Sequence, residues 1–207
     1  MRPSLITAVL SLAATALAAP RMPLARNDTA TSLFGITNAL MSSRAIEAKT
    51  VYGYDVGTGA IDCLATDNFL GLVAVSKSPQ NQGHDQCVLL TFEYLDWSAG
   101  RQCWIGFVLD SFSSVGGTGQ LDLFSSNAPA PGCSTGWGPG NQRNNDLGRM
   151  QVHRPGPATW IQTFGGLTRS RPCPPPGTVE AYELVGVGDT VSVVWRPTKT
   201  GLRIFVN

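Results

Sequence analysis

The sequence predicts an all-β fold, a β-sandwich of the jelly-roll or Greek-key kind. Three observations carry that expectation. Charged residues make up only 14% of the chain, while 23 glycines and 14 prolines are spread along it; a soluble domain usually carries about a quarter charged residues. From Thr50 onward apolar and polar residues alternate, the period of two that sends successive side chains to opposite faces of a strand. Turn residues interrupt these runs every 8 to 12 residues or so, giving about ten short strands. That spacing suits a sandwich or a closed barrel, and unequal strand lengths with long crossing loops favour the sandwich.

The chain opens before the strands begin. Met1-Arg2 is positive, Leu5 to Leu17 is uncharged and rich in Leu and Ala, and Ala16-Leu17-Ala18 is a small-x-small cleavage site. Residues 1–18 therefore read as a secretory signal peptide. The apolar run, about 13 residues, is shorter than the roughly 20 needed to span a bilayer, so no membrane insertion is expected. The C-terminal stretch Gly201 to Asn207 carries neither anchor tail nor retention signal. Residues 19–48 read as an N-terminal leader or pro-segment. Arg21 and Arg26 are weak processing sites, and Asn27-Asp28-Thr29 is a sequon that makes Asn27 the glycosylation candidate. Leu33, Ile36 and Leu40 recur at helical spacing, so a short helix or a strand ends this leader. Residues 49–207 form the sandwich domain.

Within that domain, Thr50 to Val56 is a strand and Gly57-Thr58-Gly59 a hairpin turn, with Ala60 to Ala65 returning. Phe69 to Val75 is a continuous apolar run, the pattern of a strand buried on both faces. Ser78 to Gln86 is a polar loop. Val88, Leu90, Phe92 and Tyr94 share one face of the next strand, against Leu89, Thr91, Glu93 and Leu95. After a turn at 96–100, Cys103, Ile105, Phe107 and Leu109 share a face. Gly116-Gly117-Thr118-Gly119 is a turn, and Leu121 and Leu123 then oppose Asp122 and Phe124. Asn127 to Asn145 is a long loop holding Cys133 and Trp137. Met150 and Val152 point away from Arg149, Gln151 and His153. Pro155-Gly156-Pro157 turns, Thr159 to Phe164 is a short strand, and Pro172 to Gly177 is a stiff connector held by Cys173. Strands at 179–185, 190–195 and 202–206 close the domain.

Secretion decides how the cysteines are read. Cys63, Cys87, Cys103, Cys133 and Cys173 belong to an oxidising compartment, so structural disulfides are favoured. Five is odd, which leaves a thiol free or bound to another chain. His84-x-x-Cys87 has ligand-like spacing, but no second pair completes a zinc site. No metal and no cofactor is expected.

The net charge of +1 gives no strong pull toward nucleic acid. No His-Glu-x-x-His occurs, and His84 and His153 read as ordinary hydrogen-bonded residues. Carboxylates are the more serious catalytic candidates, because β-sandwich glycosidases place two acids about 5–9 Å apart. Glu93, Asp110, Asp122, Glu180 and Glu183 fall on predicted strands. Glu180 and Glu183 face opposite sides of one strand, whereas Glu93 and Asp122 can pair across strands. Solvent-facing polarity is the favoured reading of all five, and no catalytic residue is assigned. Trp104 and Trp195 read as core or half-buried, Trp97 as a turn residue and Trp160 as the opening of a strand. Trp137, between glycines on the long loop, is the candidate for stacking on a sugar ring, although a plug over the end of the sandwich is favoured. Arg169-Ser170-Arg171 reads as a solvated turn.

A set of motifs in the C-terminal half is recognisable by order and spacing: Gly119 to Phe124, Trp137 to Arg143, Leu147 to Met150, Arg154 to Gly156, Pro172 to Pro174, Ala181 to Asp189 and Trp195. With Tyr54 to Gly59 and Cys103 upstream, this set resembles the fungal family named for a ubiquitin-3-binding protein C-terminal domain, over about residues 50–207. The resemblance implies a secreted or wall-associated β-rich protein and brings no catalytic residue with it. It implies Cys103–Cys173 as the disulfide. The cytosolic partner suggested by the family name is at odds with the signal peptide. Arg171-Pro172 stands where the family usually has an aromatic residue before Cys173. The expected function is that of a secreted, non-catalytic protein of the fungal cell wall or extracellular space, its partner a cell-wall glycan or a secreted protein. A glycan-binding module with Trp137 is the alternative, and a glycosidase-like enzyme using Glu93 and Asp122 comes third.

Overall fold

The structure, a computed structural model, describes residues 44–62, 71–132, 142–164, 166 and 168–207. Residues 1–18, expected to be a signal peptide, the helical spacing of Leu33, Ile36 and Leu40, Asn27, Cys63, Cys133, Trp137 and the start of the run at Phe69 lie outside these residues.

Among the described residues 54% are strand and 4% helical. It begins with β1 (Ala45–Ile46), β2 (Thr50–Asp55), β3 (Ile61–Asp62), β4 (Val73–Lys77) and β5 (Gln86–Glu93). It continues with β6 (Gln102–Leu109), β7 (Ser114–Gly117), β8 (Gln120–Ser126), β9 (Arg143–Gln151) and β10 (Gly156–Pro157). The last strands are β11 (Thr159–Thr163), β12 (Arg171–Pro172), β13 (Val179–Gly186), β14 (Val191–Trp195) and β15 (Gly201–Val206). They form two antiparallel sheets, as an all-β sandwich requires. A five-stranded sheet runs β1-β15-β6-β10, with β12 also on β6. A ten-stranded sheet runs β11-β9-β8-β13-β5-β4-β14-β7, with β2 on β5 and β3 on β2. Strands β4 and β5 share a single bridge, Ser76 to Gln86, and the large sheet curls into a half-barrel.

Alternation places the core. Val88, Leu90 and Phe92 of β5, Leu121 and Leu123 of β8, and Tyr182 and Leu184 of β13 meet Ile105 and Phe107 of β6, with Leu202 and Ile204 of β15. Each such side chain, fully buried, stabilises the fold by about 1.5–3 kcal/mol. Trp195 is fully buried, with its ring edge-on to Phe107 at 5.3 Å between centroids. It lies over Gly201, where φ is +104° and an added Cβ would sit 2.2 Å from Trp195 Nε1. Only glycine tolerates both that backbone and that approach. The other face of the large sheet carries a second buried cluster, Tyr52, Tyr54, Ile61, Cys87 and Leu89.

Several sequence expectations change. Of the two readings for the end of the leader, a helix or a strand, Ala45–Ile46 takes the second: it is extended and pairs with β15. The apolar run ending at Val75 is not buried on both faces: Leu72 is 55% exposed, and β4 starts at Val73 with only Val73 and Val75 buried. Gly116 and Gly117 belong to β7 rather than to a turn, because they pair with Ser192 and Val191 of β14. At Gly117, φ is +65° and a Cβ would sit 2.2 Å from the Thr190 carbonyl oxygen, so the side chains that usually mark a strand are missing for a steric reason. The long loop ends at Gln142, since Arg143 already starts β9. Gly156–Pro157 is paired with β6. Asp110 follows β6 and caps a turn, its Oδ1 accepting bonds from the backbone N–H groups of Phe112 and Ser113 and from the Ser113 hydroxyl.

Candidate functional site

Three groups of polar side chains stand out. The first is interior. Glu180, on the inward face of β13, accepts hydrogen bonds from the Tyr94 hydroxyl at 2.7 Å and the Tyr182 hydroxyl at 2.5 Å. Arg171 Nη2 reaches both carboxylate oxygens at 2.8 Å and also donates to Tyr94 at 3.0 Å. Burial, and then the Glu180 carboxylate, push both tyrosines well above the ordinary phenol range, so they act as donors. Arg171 is therefore no solvated turn residue. Its strand β12 pairs with β6 at Cys103, and the Cys103–Cys173 disulfide, with a Cα–Cα distance of 4.9 Å, is present as the family resemblance implies.

The second group lies on the opposite face of the same strand, as the three-residue offset of Glu180 and Glu183 requires. Glu183 is fully buried, and Arg143 donates to its Oε1 from Nε at 3.0 Å and from Nη2 at 2.8 Å. The guanidinium also lies 5.3 Å from the Phe124 ring centroid and 3.5 Å from Cys87 Sγ. Burial, and then the charge of Glu183, push the Cys87 thiol up to about 12; this buried free cysteine is an inert thiol. Asp122 is held by Arg149 through two bonds, 2.8 and 3.0 Å long. Thus Glu183 is shut off from solvent and bound to Arg143, while Glu180 and Asp122 keep some exposure and pair with Arg171 and Arg149.

The Glu93–Asp122 pairing fails on geometry. In the register of β13, Glu93 stands opposite Val179 and Asp122 opposite Val185. Six residues of strand separate them, about 20 Å at roughly 3.3 Å per residue, well outside the glycosidase range. His84 Nδ1 lies 3.0 Å from Asp55 Oδ2 and His153 Nε2 lies 3.0 Å from Thr159 Oγ1, so the two rings have ordinary partners.

The third group forms a cleft. Strand β1 is held on β15 by pairs at Ala45 and Ile46, and Val206 N–H donates to the Arg44 carbonyl. This carries Arg44 and Glu47 alongside the end of β5. Lys49 N–H donates to Thr91 O, and the Lys49 ammonium pairs with Glu93. Beyond β5 the chain enters a 3₁₀ turn, Asp96–Ser98, closed by the Ser98 N–H and hydroxyl, which both bond Leu95 O. That turn presents Trp97, and the Arg44 guanidinium carbon lies 4.0 Å above its ring centroid. The space between is an open cleft of about 600 Å³, within the range of about 300–1,000 Å³ typical of small-ligand sites.

Sequence reasoning singled out Glu93 but missed its neighbours. Arg44 sits in the leader, and Trp97 reads only as a turn residue. No spacing in the sequence links them, because β1 reaches the cleft through its pairing with the C-terminal strand. Fold and site together define an all-β sandwich with an open, charge-lined cleft beside β1. No protein-family model and no curated protein sequence matches the chain.

Proposed function

We propose that the chain is a secreted, non-catalytic β-sandwich protein acting at a fungal cell wall or in the extracellular space. What supports this reading is that ionisable groups in and beside the core are held by other side chains. Glu180 is saturated by two tyrosines and Arg171, Glu183 is clamped by Arg143, and the Cys87 thiol is held protonated. A general acid, base or nucleophile needs a group free to exchange a proton near neutral pH; these groups serve the fold. The Cys103–Cys173 disulfide suits an oxidising compartment.

The test follows the tagged full chain in a fungal host. Tag in the medium or wall fraction, with residues 1–18 removed, is the expected result. Recovery from the cytosol with residues 1–18 intact would overturn the reading, as would hydrolysis of a wall polysaccharide abolished by Glu180→Gln or Glu93→Gln.

A second reading, recognition of glycan, is favoured by the cleft. It combines an indole, a guanidinium, an exposed ammonium–carboxylate pair and the exposed Leu95 side chain. Such a mixture can meet both the hydroxyls and the C–H faces of a sugar. A glycan array probed with the mature protein tests it, and silence across the array removes it.

A further inference from the structure

We infer that the cleft beside β1 binds an anionic saccharide through a carboxylate, with Arg44 as its anchor; the inference rests on the glycan-recognition reading. The lining carries two cations, Arg44 and Lys49, and two anions, Glu47 and Glu93; what points to an anion is how they pair, since Arg203, outside the lining, takes Glu47. Glu93 is paired with Lys49, and Glu47 with Arg203 at 2.8 Å. Arg44 is the surplus cation. Its guanidinium is steadied by the Trp97 face and has no carboxylate or carbonyl acceptor among the described residues. A planar fork of N–H donors pre-oriented by an aromatic ring fits a carboxylate bidentately, at less entropic cost than a free side chain.

The surroundings point to a sugar as the carrier of that carboxylate. The Lys49 and Glu93 side chains, 62% and 35% exposed, offer a donor and an acceptor to vicinal hydroxyls. Leu95, 44% exposed, gives an apolar contact for ring C–H groups. A peptide carboxylate would gain its affinity from main-chain pairing along a sheet edge, and β1 offers an edge of only two residues.

The probe is an oligogalacturonate, titrated calorimetrically into the mature protein, with its methyl ester, neutral oligosaccharides of equal length and a hexaglutamate peptide as comparators. Saturable binding of the acid is expected, weakened at least about tenfold by esterification and by Arg44→Gln, the scale of a lost charge-assisted bond. Trp97→Ala, which removes the support of the fork, is expected to weaken binding as well. Arg44 is exposed, so Arg44→Gln should keep the parent's thermal unfolding, and that control separates lost contact from lost fold. Equal affinity of acid and ester, or of Arg44→Gln and parent, overturns the inference, as does tighter binding of hexaglutamate. Neutral saccharides that bind while the acid does not would leave the glycan reading standing and remove this one. Failure of every saccharide removes both.

Discussion

Replacing Arg143 with methionine should cost far more stability than its position beside a surface loop suggests. Glu183 is fully exposed to the interior and to nothing else: its side chain has no solvent access, Oε1 takes both Arg143 bonds, and Oε2 has no hydrogen-bond partner among the described residues. Removing the guanidinium leaves a carboxylate in a cluster of Tyr54, Cys87 and Leu89. Breaking a buried pair from one side costs about 3–5 kcal/mol. Arg143 keeps 25% of its side-chain exposure, so water relieves part of the loss, and about 3 kcal/mol is expected. For a domain of this size that is a fall in Tm of roughly 6–12 °C. Methionine is the right probe because its stem can still pack on Phe124, which isolates the charge.

The same reasoning makes a sharper demand on the double variant. Arg143→Met with Glu183→Leu removes both charges and should recover to within about 1 kcal/mol of the parent, since an apolar pair of similar volume replaces a desolvated ionic one. Urea unfolding followed by tryptophan fluorescence gives the four corners of the cycle. A loss under about 1 kcal/mol for Arg143→Met, or a double variant as unstable as that single one, would refute the argument from desolvation.

Three further outcomes follow from other parts of the fold. Removing the Cys103–Cys173 bridge by a double Cys→Ala change opens a loop with a sequence separation of 70; on chain-entropy grounds stability should fall by about 4 kcal/mol, read as a lower urea midpoint. Burial alone would raise Asp55, but bonds from the His84 ring and from the Thr58 and Gly57 N–H groups together hold its carboxyl below the ordinary range. The unfolded chain then takes up the proton first, so this contribution is complete above about pH 4 and is lost as pH falls through the folded value; Asp55→Asn should flatten the acid limb of stability against pH. Gly201→Ala forces a Cβ to 2.2 Å from Trp195 Nε1 at a φ of +104°, and should destabilise by at least about 2 kcal/mol in thermal unfolding.

The fold was legible wherever alternation was clean. In β5, β6 and β8 the faces come directly from the order of residues, since one side of each strand meets the sandwich interior. Legibility failed where the cause of a strand lies elsewhere in the chain. Gly116 and Gly117 look like a turn and are held in a strand by pairing with β14. Ala45–Ile46 looks like the end of a leader and is a strand because β15 supplies its partner. The polar clusters failed for the same reason. The alternation places Glu180 and Glu183 on opposite faces, but what each meets depends on Arg171 and Arg143, which other strands bring in from far along the chain.

That dependence explains why the cleft, rather than the carboxylates, is where recognition is best sought. Part-buried Glu180 and fully buried Glu183 are each matched by an arginine from another strand: β12 supplies Arg171 and the start of β9 supplies Arg143. A charge spent in this way fixes register, because a one-residue slip of either strand would leave an unpaired ion in the interior. Arg44 obeys the opposite logic. Its strand is already anchored by backbone pairing to β15 and by buried Ile46, and the contact its guanidinium makes is with the Trp97 ring rather than with a carboxylate. An arginine held over an indole and turned toward a cleft of about 600 Å³ is available for a ligand in a way that Arg143 and Arg171 are not.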